Sequence, residues 1–116
     1  MPTHEEILAD VYAAFNARDI DRTLARMHPD VDWPNGMEGG RVHGHAAVRD
    51  YWTRQWKMID PRVEPQRMAV DDASRTLVDV RQVVRDLAGK VLKDEMVQHV
   101  YRFEAGLVRS MEIRKP

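Results

Sequence analysis

Apolar positions in the first half of the chain recur at helical spacing. Thr3 and Glu6 form a capping box, and the apolar residues behind it return every three or four positions. This pattern predicts a first helix over about residues 4 to 17. After Gly44, a more aromatic stripe predicts another helix that ends before Pro61. The members of that stripe are Val48, Tyr51, Trp52, Gln55, Trp56 and Ile59.

A short helix is predicted between these two. Asp19 or Asp21 can cap it, and His28-Pro29 stops it because the residue before proline disfavours the helical region. The segment "HPDVDWPNGMEGGRVHG" that follows predicts a strand over about Val31 to Pro34 and then a glycine-rich loop. The apolar side chains of the short helix are Ile20, Leu24 and Met27.

In the second half of the chain, the apolar residues no longer recur at helical spacing. The segments "TLVDVRQVVRDL", "KVLKDEMVQHVYRF" and "LVRSMEIR" are rich in β-formers and are separated by glycine-containing turns, which predicts a three-stranded antiparallel meander. A further strand is predicted over "VEPQRMAV". Helices first and strands later, without βαβ alternation, indicate an α+β fold with the helices on one face of a bent antiparallel sheet.

Composition narrows the class of protein. The 116 residues, 43% of them apolar, suffice for a single domain over residues 1 to 116. Cysteine is absent, which excludes disulfides and thiolate chemistry. A net charge of −1 with alternating signs does not indicate a nucleic-acid partner. No apolar run is long enough to cross a bilayer, so we expect a cytoplasmic protein without a membrane partner, whose partner is a small molecule or another protein.

Four short motifs carry a resemblance to a known superfamily. They are "YAAFNARDID", "MHPDVDW", "GHAAVRDYW" and "HVYRFEAGLVRSMEI", and with the order of elements they span nearly the whole chain. The sequence resembles the nuclear transport factor 2-like superfamily, which includes ketosteroid isomerases and SnoaL-like polyketide cyclases. The resemblance implies a cone-shaped α+β fold, with three N-terminal helices packed in the concave face of a curved, mainly antiparallel β-sheet. It also implies an enclosed apolar pocket and a homodimer formed through the sheet.

The resemblance also implies positions for functional residues. Alignment on "GHAAVR" puts Asn35 where ketosteroid isomerases have their general-base aspartate, and an amide cannot accept a substrate proton, so that activity is not expected. The oxyanion tyrosine falls at Val11, with Tyr12 roughly 100° away around the helix. The second oxyanion donor falls at His99.

Strand alternation gathers candidates around this histidine. In "EMVQHVYRF" one face carries Glu95, Val97, His99, Tyr101 and Phe103, and by the resemblance this face lines the pocket. We therefore predict His99 as a catalytic acid or base, with Tyr101 or Asn35 as hydrogen-bond partner. A core histidine satisfied by one neighbour remains the alternative.

The strand over residues 76 to 87 has two possible phases. An inward Arg81 beside Asp79 would orient a water or a substrate acid, an arrangement similar to that of limonene epoxide hydrolases. An inward Val78 and Val80 would leave those charges in solvent. Alignment on Gly89 favours the first phase and apolar composition favours the second, so Arg81 remains a candidate pocket residue.

The loop between the second and third helices carries several possible metal ligands. Its glycines match neither an EF-hand nor a phosphate-binding loop. A metal site is chemically conceivable, but no pair of its ligands has helical spacing, so we expect neither metal nor cofactor. The residues of that site would be His28, Asp32, Glu38, His43 and His45.

Two functions remain open at this point. The first is a small-molecule enzyme of SnoaL-like type, working by proton transfer (isomerisation, cyclisation, dehydration or hydrolysis). The second is a non-catalytic ligand-binding or dimerisation module. An open cavity with His99 near a second polar group favours the first, and a filled cavity favours the second. The ligand, a small apolar or aromatic molecule, would contact Trp33, Trp52, Trp56, Arg81, Val97, Phe103 and Met111.

Overall fold

Three helices and six strands make up the computed structural model, which describes residues 2–115. The helices pack on one face of a six-stranded curved open sheet of order β2-β1-β6-β5-β4-β3, an α+β arrangement that agrees with a cone fold. The elements are α1 (His4–Asn16), α2 (Ile20–Leu24), β1 (Met27–Pro34), β2 (Arg41–His43), α3 (Gly44–Met58), β3 (Asp60–Val70), β4 (Thr76–Arg85), β5 (Val91–Glu104) and β6 (Leu107–Arg114).

The N-terminal caps follow the sequence. The hydroxyl of Thr3 accepts a hydrogen bond from the amide of Glu6 at 3.1 Å, and Asp19 caps α2. The end of α2 was predicted wrongly, because α2 stops at Leu24 and Met27 begins β1. Pro29 is tolerated inside β1 because the pairing of β1 with β6 is irregular between Met27 and Asp32, where a missing amide breaks no ladder hydrogen bond.

The sheet is mainly antiparallel. The β4-β5-β6 meander is confirmed, and the further strand β3 pairs antiparallel with β4. β1 lies parallel to β6, and the short β2, which the sequence pattern predicted as loop, pairs antiparallel with β1. Register shifts interrupt the β3-β4, β4-β5 and β5-β6 ladders, and such bulges bend a sheet.

Side-chain hydrogen bonds fix α1 against the far edge of the sheet. The Asn16 amide donates to the carbonyl of Val63 at 2.7 Å and accepts from the Val63 amide at 3.0 Å, so it pairs with β3 as a neighbouring strand would. Arg18 adds a bond to the carbonyl of Pro61 at 2.7 Å. These contacts hold the apolar stripe of α1, with Leu8 and Tyr12, against the strands. None of the helices within residues 2–115 is long and apolar enough to cross a membrane.

Candidate functional site

A cavity of about 260 Å³ is lined by residues of the helices and of the sheet. Most of its lining is apolar or aromatic, and it includes Val11 and Phe15 of α1 and Trp52 of α3. Leu92 and Ile113 also line it although they are 55% and 43% exposed. Because these two side chains reach solvent, the cavity opens beside them at the ends of β5 and β6.

Three polar side chains form a hydrogen-bonded chain on the cavity wall. The Tyr101 hydroxyl donates to the Tyr12 hydroxyl at 2.8 Å, and the Tyr12 oxygen lies 2.8 Å from Nδ1 of His99. Strand alternation places His99 and Tyr101 on the same face of β5, and helical spacing places Tyr12 opposite them. With Tyr101 donating to Tyr12, Tyr12 donates to Nδ1, which puts the imidazole proton on Nε2.

Burial determines the protonation states of Tyr12, His99 and Tyr101. Only 5% of His99 is exposed, and burial lowers the pKa of its imidazole from 6.5 to about 4 because a charged ring would lose its hydration. Burial also raises the pKa of Tyr12 and of Tyr101 well above the usual value for a phenol. At neutral pH all three groups are therefore uncharged.

The second imidazole nitrogen, Nε2, forms no hydrogen bond within the described residues. Within residues 2–115, Nδ1 of His99 has Tyr12 and, at 3.5 Å, Tyr101 near it, whereas Nε2 has no hydrogen-bond partner. His99 lines the cavity. A ligand in the cavity is thus the available partner for Nε2.

The predicted aromatic wall is present in part. Trp33 and Trp52 both line the cavity, with ring centroids 5.7 Å apart and planes at right angles. Met111 lines it too, opposite Tyr101 in the β5-β6 ladder. Trp56 lies behind this wall, where it stacks on Trp52 and carries the guanidinium of Arg18 over its ring, so its predicted pocket contact is not found.

Two predicted residues of β5 and one of β4 do not line the cavity. Val97 is buried in the core, and Phe103 stacks on His4 with ring centroids 3.8 Å apart; neither lines the cavity. Arg81 points to the opposite face of the sheet, where it binds Asp94 through two hydrogen bonds of 3.0 and 2.8 Å. The phase with Val78 and Val80 inward is the one observed.

Asn35 has a structural role in the loop between β1 and β2. Its side-chain oxygen accepts from the amide of Glu38 at 2.8 Å, and its NH₂ group donates to the Glu38 carboxylate at 2.9 Å. Arg54 binds the same carboxylate at 2.9 Å, and together these contacts lower the pKa of Glu38, with Arg54 the larger cause. Both polar ends of the Asn35 amide are therefore occupied, and a role as hydrogen-bond partner of His99 is not found.

Sequence reasoning missed several polar residues of the cavity, among them Tyr12, Tyr51 and Gln55. Tyr12, set aside in favour of Val11, supplies the hydroxyl that binds His99, and its place on the apolar stripe four residues after Leu8 was the available signal. Tyr51 and Gln55 also line the cavity. Within residues 2–115 no three acidic or histidine side chains lie close enough together to hold a metal ion.

Solved structures with the same fold were found by comparison. TerC, crystallised with polyporic acid, is 28% identical, with a TM-score of 0.82 over 97% of this chain and 90% of its own. A nuclear transport factor 2-like protein of unknown function from Burkholderia pseudomallei is 28% identical, with a TM-score of 0.84 over 100% of this chain and 92% of its own. A candidate polyketide cyclase from Pseudomonas putida, 18% identical, superposes with a TM-score of 0.85 over 100% of this chain and 93% of its own.

Sequence comparison gives the family. No curated protein matches this chain at a significant level. The SnoaL-like domain family matches residues 8–111, which is most of the chain and includes the whole Tyr12–His99–Tyr101 chain. The protein therefore belongs to the SnoaL-like domain family of the nuclear transport factor 2-like superfamily.

Proposed function

We propose that this protein binds a small, flat, largely apolar ligand in the cavity and acts on it as a SnoaL-type enzyme, with His99 as the group that exchanges or shares a proton with it. The observation that carries the proposal is the buried Tyr12–His99 hydrogen bond of 2.8 Å, with Nε2 left for the ligand. Support comes from TerC, a protein of the same fold that was crystallised with polyporic acid.

The neutral imidazole suits this role. With Tyr12 donating to Nδ1, the Nε2 proton is directed at a ligand oxygen, and a donor in a water-poor cavity stabilises negative charge that develops there. In the other tautomer Nδ1 donates to Tyr12, and Nε2 can accept a proton from the ligand. A base with a pKa of about 4 is comparable to the aspartate base of ketosteroid isomerase, whose pKa is about 4.6.

Tyr12 and Tyr101 are positioning residues in this scheme. Tyr12 occupies Nδ1 and so leaves Nε2 as the imidazole nitrogen that meets the ligand, and Tyr101 orients the Tyr12 hydroxyl. Their raised pKa values keep both protons on oxygen at working pH, so the hydroxyls act as hydrogen-bond donors and do not compete as bases.

One observation favours ligand binding without catalysis as a second candidate. Within residues 2–115 no carboxylate lines the cavity, and the position of the ketosteroid isomerase base is held by Asn35, whose amide is bound to Glu38. On this second proposal His99 would orient a ligand hydroxyl or carbonyl and no bond would break.

The first experiment is binding of polyporic acid followed by NMR of the histidine rings. Wild type is compared with the His99→Gln and Tyr12→Phe variants, and with His43→Gln, which alters an exposed ring. We expect the ligand to shift the ring signals of His99 and the His99→Gln substitution to lower its affinity about tenfold, since one hydrogen bond to a buried group is worth about 1 kcal/mol or more. If the ligand binds with the His99 signals unmoved, His99 has no role in the site.

Turnover separates the two candidates. Wild type is incubated with the bound ligand and the mixture is analysed for product by mass spectrometry and for proton exchange in deuterated water by NMR. Proton exchange or product formation that depends on His99 supports the first candidate, an enzyme. Ligand binding without proton exchange or product formation supports the second candidate, ligand binding without catalysis.

We also propose that the protein forms a homodimer through the outer face of the sheet. Met96, on the outer face of β5, is 44% exposed, and apolar Leu87 and Val91 are exposed at the β4-β5 turn. Large exposed apolar side chains that cluster are typical of association surfaces. Light scattering after size-exclusion chromatography tests this, and a Met96→Lys substitution should shift a dimer toward the monomer.

A further inference from the structure

Tyr51 and Gln55 form a second polar group on the cavity wall. They lie four residues apart on α3 and thus on one face of the helix, and the Gln55 NH₂ group donates to the Tyr51 hydroxyl at 3.1 Å. Within residues 2–115 no hydrogen bond joins this pair to His99, Tyr12 or Tyr101, which belong to α1 and β5. The Tyr51–Gln55 pair is thus separate from the Tyr12–His99–Tyr101 group in a mainly apolar and aromatic lining.

The carboxamide oxygen of Gln55 is buried and has no hydrogen-bond donor within the described residues. Leaving a buried polar atom without a partner is unfavourable, and such atoms in natural proteins are usually matched by water or by a ligand. Gln55 lines the cavity and its oxygen lies beneath the cavity surface, so a rotation of the carboxamide toward a bound group would supply the missing bond. Tyr51 is buried and its hydroxyl lies near the backbone of Gly36 and Met37, which holds the pair in place.

Cavity size limits the ligand. An apolar cavity of about 150 Å³ holds one benzene molecule. The observed 260 Å³ therefore encloses about two six-membered rings, and any further part of a larger ligand would extend through the opening beside Leu92 and Ile113. Perpendicular and tilted aromatic rings, Trp33 with Trp52 and with Tyr101, give walls that fit the faces and edges of a flat molecule.

We propose that Gln55, oriented by Tyr51, recognises a hydroxyl group of the ligand, and that the ligand class is a bicyclic aromatic molecule with oxygen at two positions. One oxygen contacts His99 and the second contacts Gln55. This inference rests on the proposed function, because it assumes that the ligand occupies the same cavity as Nε2 of His99. A hydroxyl both donates and accepts, so it completes the hydrogen bonding of the Gln55 carboxamide.

The test measures what a second hydroxyl adds to binding. Isothermal titration calorimetry gives the affinities of 2-naphthol and of 2,6- and 2,7-dihydroxynaphthalene for wild type and for Gln55→Met, which keeps the shape of the side chain without its amide. Gln66→Met on exposed β3 is the matched control. Tyr51→Phe, which removes the group that orients Gln55, is a second variant and decides the question if Gln55→Met does not fold.

We expect one of the diols to bind wild type and Gln66→Met about fivefold tighter than 2-naphthol, since one net hydrogen bond has about that value. The ratio should fall to about one in Gln55→Met and should decrease in Tyr51→Phe. A ratio of one in wild type, or a ratio unchanged by both variants, overturns the role of Gln55 while the cavity remains a binding site. If no naphthol binds wild type and polyporic acid also fails to bind, the proposed function falls and this inference with it.

Discussion

The low pKa of His99 makes the stability of the protein depend on pH in a defined window. The unfolded imidazole titrates near 6.5 and the folded one near 4, so between these values the unfolded state binds a proton that the folded state does not. The buried neutral His99 therefore makes its full contribution to the free energy of unfolding above pH 6.5. This contribution decreases as the pH falls and is lost below about pH 4. At about 1.4 kcal/mol per pKa unit the total loss is about 3 kcal/mol.

The assay is urea unfolding at intervals from pH 7.5 to 4, followed by tryptophan fluorescence, for wild type and His99→Gln. Carboxylates such as Asp10 and Asp71, whose pKa values are lowered by arginine hydrogen bonds, also destabilise the protein in acid, but they are common to both proteins and cancel in the difference. The difference in free energy of unfolding between wild type and His99→Gln should decrease by about 3 kcal/mol from pH 7.5 to pH 4.

A control variant shows whether the pH dependence comes from the burial of His99 or from the loss of any histidine. His43→Gln removes a ring that is 70% exposed, so this substitution changes no buried group. Its stability curve should run parallel to that of wild type through this window. The reasoning is refuted if the His99→Gln curve also runs parallel, or if NMR shows the His99 ring titrating near 6.5.

Three further substitutions test the packing and the placement of side chains. Leu8→Ala, at a fully buried position of the core, should lower the free energy of unfolding by about 3 kcal/mol in urea titrations. Asn35→Ala removes both side-chain hydrogen bonds to Glu38, and hydrogen exchange of the loop amides should accelerate while the global stability falls by about 1 kcal/mol. Arg81→Ala breaks only an exposed pair with Asp94, so calorimetry should show unchanged ligand affinity and a stability change under about 1 kcal/mol.

Much of the fold could be predicted because its signals are local. The Thr3 cap, the apolar stripes of α1 and α3 and the alternation in β5 each depend on residues within a few positions of one another. The start of β1 and the existence of β2 depend instead on pairing with distant segments. Met27 pairs with Val108, and the three residues of β2 are strand only because β1 lies beside them.

The same distinction applies to the candidate site. His99 and Tyr101 were placed together correctly since two residues on one strand share a face. Tyr12 was missed because its position came from aligning a different part of the chain. An error of one residue turns a helical side chain by roughly 100°, enough to exchange Tyr12 for Val11 as the donor.

The error at Arg81 has a more specific cause in the β4-β5 hairpin. Next to the turn Arg85 pairs with Val91, and an uninterrupted ladder from there would set Asp79 opposite Val97, on the inner face, with Arg81 inward as well. The observed ladder pairs Val84 with Lys93, so Leu92 is an extra residue on β5. That one bulge moves Val80 opposite Val97 and turns Arg81 outward. Since Leu92 also lines the cavity at its opening, the residue that sets the phase of β4 is part of the entrance to the site.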